Sequence, residues 1–164
     1  MWTEKQIIRF VIIGIFALGV FGAKTVAAEN EKDIALLKVL PTSKISLSEG
    51  IVQAAKGTAT AISAKFELDD SGKLSLSIYI AEEGIAKDVE HNTFKEVSGD
   101  PTAEKWAPES EVVKDADDLK AAKDQLKILS GTKLSLLDFI SMAQKDRQGI
   151  VFSAIPTIEN HSPP

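Results

Sequence analysis

The chain has 164 residues, a formal net charge of −5 and no cysteine. Without cysteine there is no disulfide bracing, no thiol catalysis and no cysteine-held metal. The acidic balance argues against nucleic acid and anionic lipid as partners, because like charges repel and no counterions are released.

Lys5 and Arg9 precede an apolar run from Phe10 to Ala23, and Val26-Ala27-Ala28 puts small residues before Glu29. These are the three parts of a secretory signal peptide over residues 1–28, with cleavage expected after Ala28. The run counts 14 residues, short of the roughly 20 that span a bilayer; an uncleaved anchor is the alternative. The expectation is export to the periplasm or the extracellular space, with no membrane association after cleavage. From Glu29 onward there are 16 basic and 23 acidic side chains, a net charge of −7.

Residues 29–43 read as a short helix and a linker: Ile34, Leu36, Leu37, Val39 and Leu40 are followed by Pro41. Ser46-Leu47-Ser48-Glu49 fits a capping box, with Leu47, Ile51, Ala54 and Ala55 on one helical face up to Gly57. The small residues on that face predict close approach to a sheet. A strand is predicted over Thr58 to Leu68, with Ile62, Ala64, Phe66 and Leu68 on one side. Asp69-Asp70-Ser71-Gly72-Lys73 supplies turn chemistry. Leu74, Leu76, Ile78 and Ile80 then alternate with Ser75, Ser77 and Tyr79, a half-buried strand. An acidic residue is therefore expected to be tolerated at Ser77 and not at Ile78. Glu82-Glu83-Gly84 closes the strand, and a third follows around Thr93 to Val97.

Residues 98–132 are read as a linker and a helix. Gly99, Pro101 and Pro108 break regular structure, Trp106 pins the linker to the core, and Asp115 to Leu129 is helical. Ala116, Leu119, Ala122, Leu126 and Leu129 share its apolar face, and Asp115, Asp117 and Asp118 suit its N-terminal dipole. Residues 133–164 open with a second cap, Ser135 with Asp138, and a helix buried through Leu136, Phe139, Ile140 and Ala143. Gly149 then precedes a strand over Ile150 to Ile158, with Ile150, Phe152, Ala154 and Ile158 on its apolar face.

These segments repeat one another. Lys44-Ile45-Ser46-Leu47 is echoed by Lys133-Leu134-Ser135-Leu136, and Ile51 and Ala54 by Ile140 and Ala143, all at an offset of 89 residues. Ser63-Ala64 recurs as Ser153-Ala154, one residue out of step. The spacing implies two helix-plus-strand units, at 44–97 and, in partial form, at 133–164. The partial unit has no hairpin partner. Its strand must join the first sheet, pair with another chain through the 150–158 edge, or be a truncated remnant. If it mediates self-association, a charge at Val151 is expected to weaken it.

The fold class expected is α+β, with helices packed on one face of a small antiparallel sheet. The capped helix Ile45-Ser46-Leu47 with Ile51 and Ala54-Ala55, followed by the Phe66 and Ile78 strands around Asp70-Ser71-Gly72, resembles the PepSY family. Asp88 through Thr93 stands where that family has an aspartate and a Thr-Gly turn. The resemblance implies a cystatin-like, exported, noncatalytic binding module, with protease inhibition or regulation proposed for the family.

Chemical motifs are sparse, and the residues nominate no catalytic, cofactor-binding or metal-binding position. His91 and His161 are 70 positions apart and read as solvated loop residues. Asp69-Asp70-Ser71-Gly72 lacks the further oxygens of a calcium loop. Ser130-Gly131-Thr132-Lys133 matches Ser-x-x-Lys, yet its partner motifs are missing and the segment reads as a loop. Asn160-His161-Ser162 is a sequon on paper. The function expected is an exported, noncatalytic binding or regulatory module acting on a protease or another envelope protein, through a sheet edge or a groove. The alternative is a structural or small-ligand-sensing envelope protein.

Overall fold

The computed structural model describes residues 29–146 and 149–157. The expected signal segment, Ile158, His161 and the sequon lie outside the described residues. The first helix, α1 (Glu29–Val39), passes directly into a 3-10 turn at Leu40–Thr42. Pro41 sits in the first positions of that turn, where a missing N–H costs nothing. Leu36 and Leu40 are buried.

Helix α2 (Leu47–Ala54) starts at the expected box: the Glu49 amide donates to Ser46 Oγ at 3.2 Å, and the Ser46 amide donates to Glu49 Oε2 at 2.8 Å. Helix α4 (Leu136–Asp146) starts identically, with the Asp138 amide on Ser135 Oγ at 3.2 Å and the Ser135 amide on Asp138 Oδ2 at 2.7 Å. In each box the hydrogen bonds from serine hold the carboxyl below its ordinary range. Helix α3 (Ala116–Thr132) is capped by Asp115, whose Oδ1 accepts from the amides of Asp117 and Asp118 at 2.9 and 3.2 Å.

Among the described residues one antiparallel sheet holds β1 (Thr60–Leu68), β2 (Leu74–Ala81), β3 (Phe94–Gly99), β4 (Glu109–Val112) and β5 (Ser153–Ala154), in the order β4-β3-β2-β1-β5. The architecture is α+β, as expected. The β1–β2 turn is built by Asp69, whose Oδ1 accepts from the amides of Ser71 and Lys73, each at 2.9 Å. That carboxylate is committed to the turn itself.

The arrangement of helices differs from the expectation of a single covered face. Leu74, Leu76, Ile78 and Ile80 pack with Ala64, Phe66 and Leu36, Leu47, Ile51, Leu136 and Ile140 on one side. Ile62, Ala81 and Phe94 pack with Ala122, Leu126 and Leu129 of α3 on the other. A bulge in β1 adds to that second side: Ala61 pairs with Ile80 and Ser63 with Tyr79, so Ile62 is an extra residue. A bulge turns its residue off the alternating pattern. Ile62 consequently faces away from Ala64 and Phe66, against the period-2 expectation that all three share a side. Helix α4 bridges the two cores, since Leu136 and Ile140 enter the first and Phe139 the second.

Helix α2 lies so close to β2 that a Cβ on Gly50 would stand 2.5 Å from Leu76 Cδ2 and 3.2 Å from Ile78 Cδ1. The close approach expected from Ala54 and Ala55 is thus centred on a glycine.

The C-terminal segment docks on the first sheet. Ala154 pairs with Ala64 and Ser153 with Lys65, while the Phe66 amide donates to the Phe152 carbonyl at 2.8 Å. Among the described residues of this segment only Ser153 and Ala154 are strand, and the faces differ from the simple alternation expected: Ile150 is exposed, whereas Val151, Phe152, Ser153 and Ala154 are all buried. A charge at Val151 therefore strikes the main core rather than a dimer contact. Trp106 is buried in that same core, as expected of a pin, and the linker it sits in feeds a strand, β4, that hydropathy did not reveal.

Candidate functional site

The α3 side of the sheet is only partly covered, and the uncovered part is polar. Partners across antiparallel strands share a face. Tyr79 therefore lies beside Glu96, and Glu96 lies directly opposite Glu111. With the first turn of α3 these residues enclose a cleft of about 570 Å³ lined by Tyr79, Glu96, Glu111, Val112, Val113, Lys114, Asp115 and Asp118. A recess of about 140 Å³ shares Tyr79 and Asp118 and continues past Ser63, Lys65 and Gln125 to Ile155. Together they form a groove beside α3, with Tyr79 at its middle and most of its carboxylates at the β4 end.

Two carboxylates opposite one another on neighbouring strands repel. Glu96, Glu111 and Asp118 take part in none of the ion pairs among the described residues. At the far end, by contrast, Lys65 is bridged to Glu67, and Glu67 Oε1 accepts from Ser77 Oγ at 2.8 Å. Ser77 is 2% exposed. Ser77 is thus enclosed by neighbouring side chains instead of open to water, which removes the ground for expecting an acidic residue to be tolerated there.

Tyr79 is the chain's single tyrosine. Burial first, then the negative charge of Glu96 and Asp118 and the hydrogen bond to Glu96, push its hydroxyl well above the ordinary value of 10.0. An unfolded tyrosine ionises near 10 while the folded one stays protonated, so this stabilising difference is present below pH about 10 and lost as pH rises from there through the folded pKa. Thermal unfolding of Tyr79→Phe is accordingly expected to depend less steeply on pH above 10 than that of the parent chain. Equal slopes would show that Tyr79 ionises as freely as in a peptide.

The remaining sequence candidates are placed elsewhere. His91 is exposed, with Nδ1 2.8 Å from Asp88 Oδ1. Ser130 lies on the last turn of α3, not in a loop, and its hydroxyl donates to the Leu126 carbonyl at 2.8 Å; Lys133 caps the helix at φ 57°. Among the described residues no three histidine, aspartate or glutamate side chains are grouped so as to hold a metal ion. No helix of the described residues is long and apolar enough to cross a membrane.

The sequence reading missed the groove altogether. Its members come from β2, β3, β4 and α3, spread from Tyr79 to Asp118, and no local spacing links them. The one available signal was Tyr79 itself, an aromatic on the polar side of the cleanest strand. Compared with family models, curated proteins and solved structures, the chain matches none of them.

Proposed function

We propose that the protein is a noncatalytic binding module whose groove beside α3 receives basic side chains of a partner protein. The observation that carries this reading is the Tyr79–Glu96–Glu111–Asp118 constellation: three carboxylates outside the ion pairs of the described residues, around one aromatic ring, with Lys114 as the one cation lining the cleft. Such a site stabilises an ammonium or guanidinium group by charge, and by the ring face where geometry allows. At about 570 Å³ the cleft has the volume of a small-molecule site, so size does not separate a protein partner from a small ligand. The exposed edge strand β4 beside the cleft favours a protein partner over small-ligand sensing.

Export of this module and its kinship with PepSY proteins belong to the same proposal. They are supported by the composition of residues 1–28 and by the order α2-β1-β2-β3, which is the order the resemblance implies. The matching caps of α2 and α4, and the pairing of Ala64 with Ala154, support a duplicated origin.

Titration of the full chain with a lysine-rich peptide tests the reading. The Tyr79 ring resonances are expected to shift on binding, affinity is expected to fall with rising salt, and the Glu96→Gln, Asp118→Asn double variant is expected to bind at least tenfold more weakly. Equal binding of a glutamate-rich peptide, or an unshifted Tyr79, would refute it.

A further inference from the structure

We infer that β4 is a docking edge at which an extended segment of the partner, with basic and apolar residues in alternation, adds as a further strand. The inference rests on the proposed groove and specifies what occupies it. All four residues of β4 are exposed, and β4 ends the sheet order. The Val113 amide donates to the Phe94 carbonyl at 2.9 Å. Antiparallel ladders alternate inward- and outward-facing residues, so Glu109 and Glu111 bond to β3 while the backbone groups of Ser110 and Val112 face outward.

The side chains add a code to that free backbone. Glu111 shares the groove face with Glu96, and Glu109 follows two residues away on the same face. Val112, an exposed apolar side chain, lies on the opposite face with Lys95. A strand laid along β4 therefore meets carboxylates at alternate positions on one face and Val112 on the other. Lysine or arginine every second residue, with apolar residues between, matches both. The same carboxylates disfavour a second copy of this chain, because pairing β4 with β4 sets glutamates against glutamates.

The experiment uses the full chain and a synthetic octapeptide of alternating lysine and valine, followed by calorimetry and backbone amide exchange. Binding is expected to slow exchange at Ser110 and Val112 at least tenfold. N-methylation of every second peptide nitrogen, tried in both registers, is expected to weaken binding at least tenfold in one of them, and a glutamate-valine octapeptide is expected not to bind. If both N-methylated peptides bind as tightly as the parent and still shift Tyr79, strand addition is overturned while the groove reading stands. If the lysine-valine peptide does not bind, both are overturned. Dimers in light scattering that protect Ser110 and Val112 without peptide would overturn the inference by assigning the edge to a second copy.

Discussion

Ile78→Asp is expected to leave the chain unfolded in the absence of denaturant. Ile78 is fully buried, within reach of Gly50 across the α2–β2 contact and paired with Ala64 and Val97 on the two flanking strands. Losing the packed side chain alone costs about 2–5 kcal/mol. The aspartate then adds several kcal/mol for an unpaired buried charge, against a total stability of about 5–15 kcal/mol for a domain. Ser77→Asp is expected to be destabilising too, by about 1–3 kcal/mol, because it loses the hydrogen bond to Glu67 and sets a second carboxylate beside it. Urea unfolding followed by far-UV circular dichroism distinguishes the three chains: no native baseline for Ile78→Asp, and a lowered midpoint for Ser77→Asp. A parent-like midpoint for either variant would overturn the face assignment on β2.

The second large effect is expected at Gly84, in the turn after β2. Its φ is +76°, and a Cβ there would collide with the Thr58 carbonyl oxygen. Gly72 has a nearly identical φ of +78° with nothing near its missing Cβ. Alanine at Gly72 therefore carries only the left-handed strain of about 1–2 kcal/mol. Alanine at Gly84 adds an overpacking cost of about 1–3 kcal/mol against backbone, which has no rotamer in which to retreat. The loop is also tied at that point: the Gly84 carbonyl accepts from Asn92 Nδ2 at 2.8 Å, and Thr58 Oγ1 donates to the Glu82 carbonyl at 3.1 Å. A shift of Gly84 would disturb both bonds. The expected result is a clearly lower urea midpoint for Gly84→Ala than for Gly72→Ala. Equal midpoints would show that the β2–β3 loop yields freely.

That loop illustrates where resemblance and structure part. A Thr-Gly turn is expected before the third strand of a PepSY unit, and no glycine follows Thr93 in this chain. The position is held instead by side chains: Glu83 takes the Thr93 amide and its hydroxyl, the latter at 3.0 Å, and Asn92 Oδ1 accepts the Glu83 amide at 3.1 Å. Strand β3 forms at the expected place without the turn residue, because an acid and an amide side chain bind the backbone groups that a tight turn would have paired.

What the sequence determined by itself is short in range. The two serine caps, the Asp115 cap, the Asp69 turn and the alternating face of Leu74, Leu76, Ile78 and Ile80 each depend on residues within a few positions of one another. Their hydrogen bonds and side-chain directions follow from local geometry. Only the tertiary structure decided the rest. The bulge at Ile62 adds an apolar residue to the face that α3 covers, β4 emerges from a Gly- and Pro-bearing stretch because β3 offers it an edge, and Val151 and Phe152 are both buried because β1 receives the chain beside them. The groove has the same origin: Tyr79, Glu96, Glu111 and Asp118 become neighbours through strand register and helix placement. Those depend on pairings between distant segments, and a period read along one strand carries no information about the strand that will lie beside it.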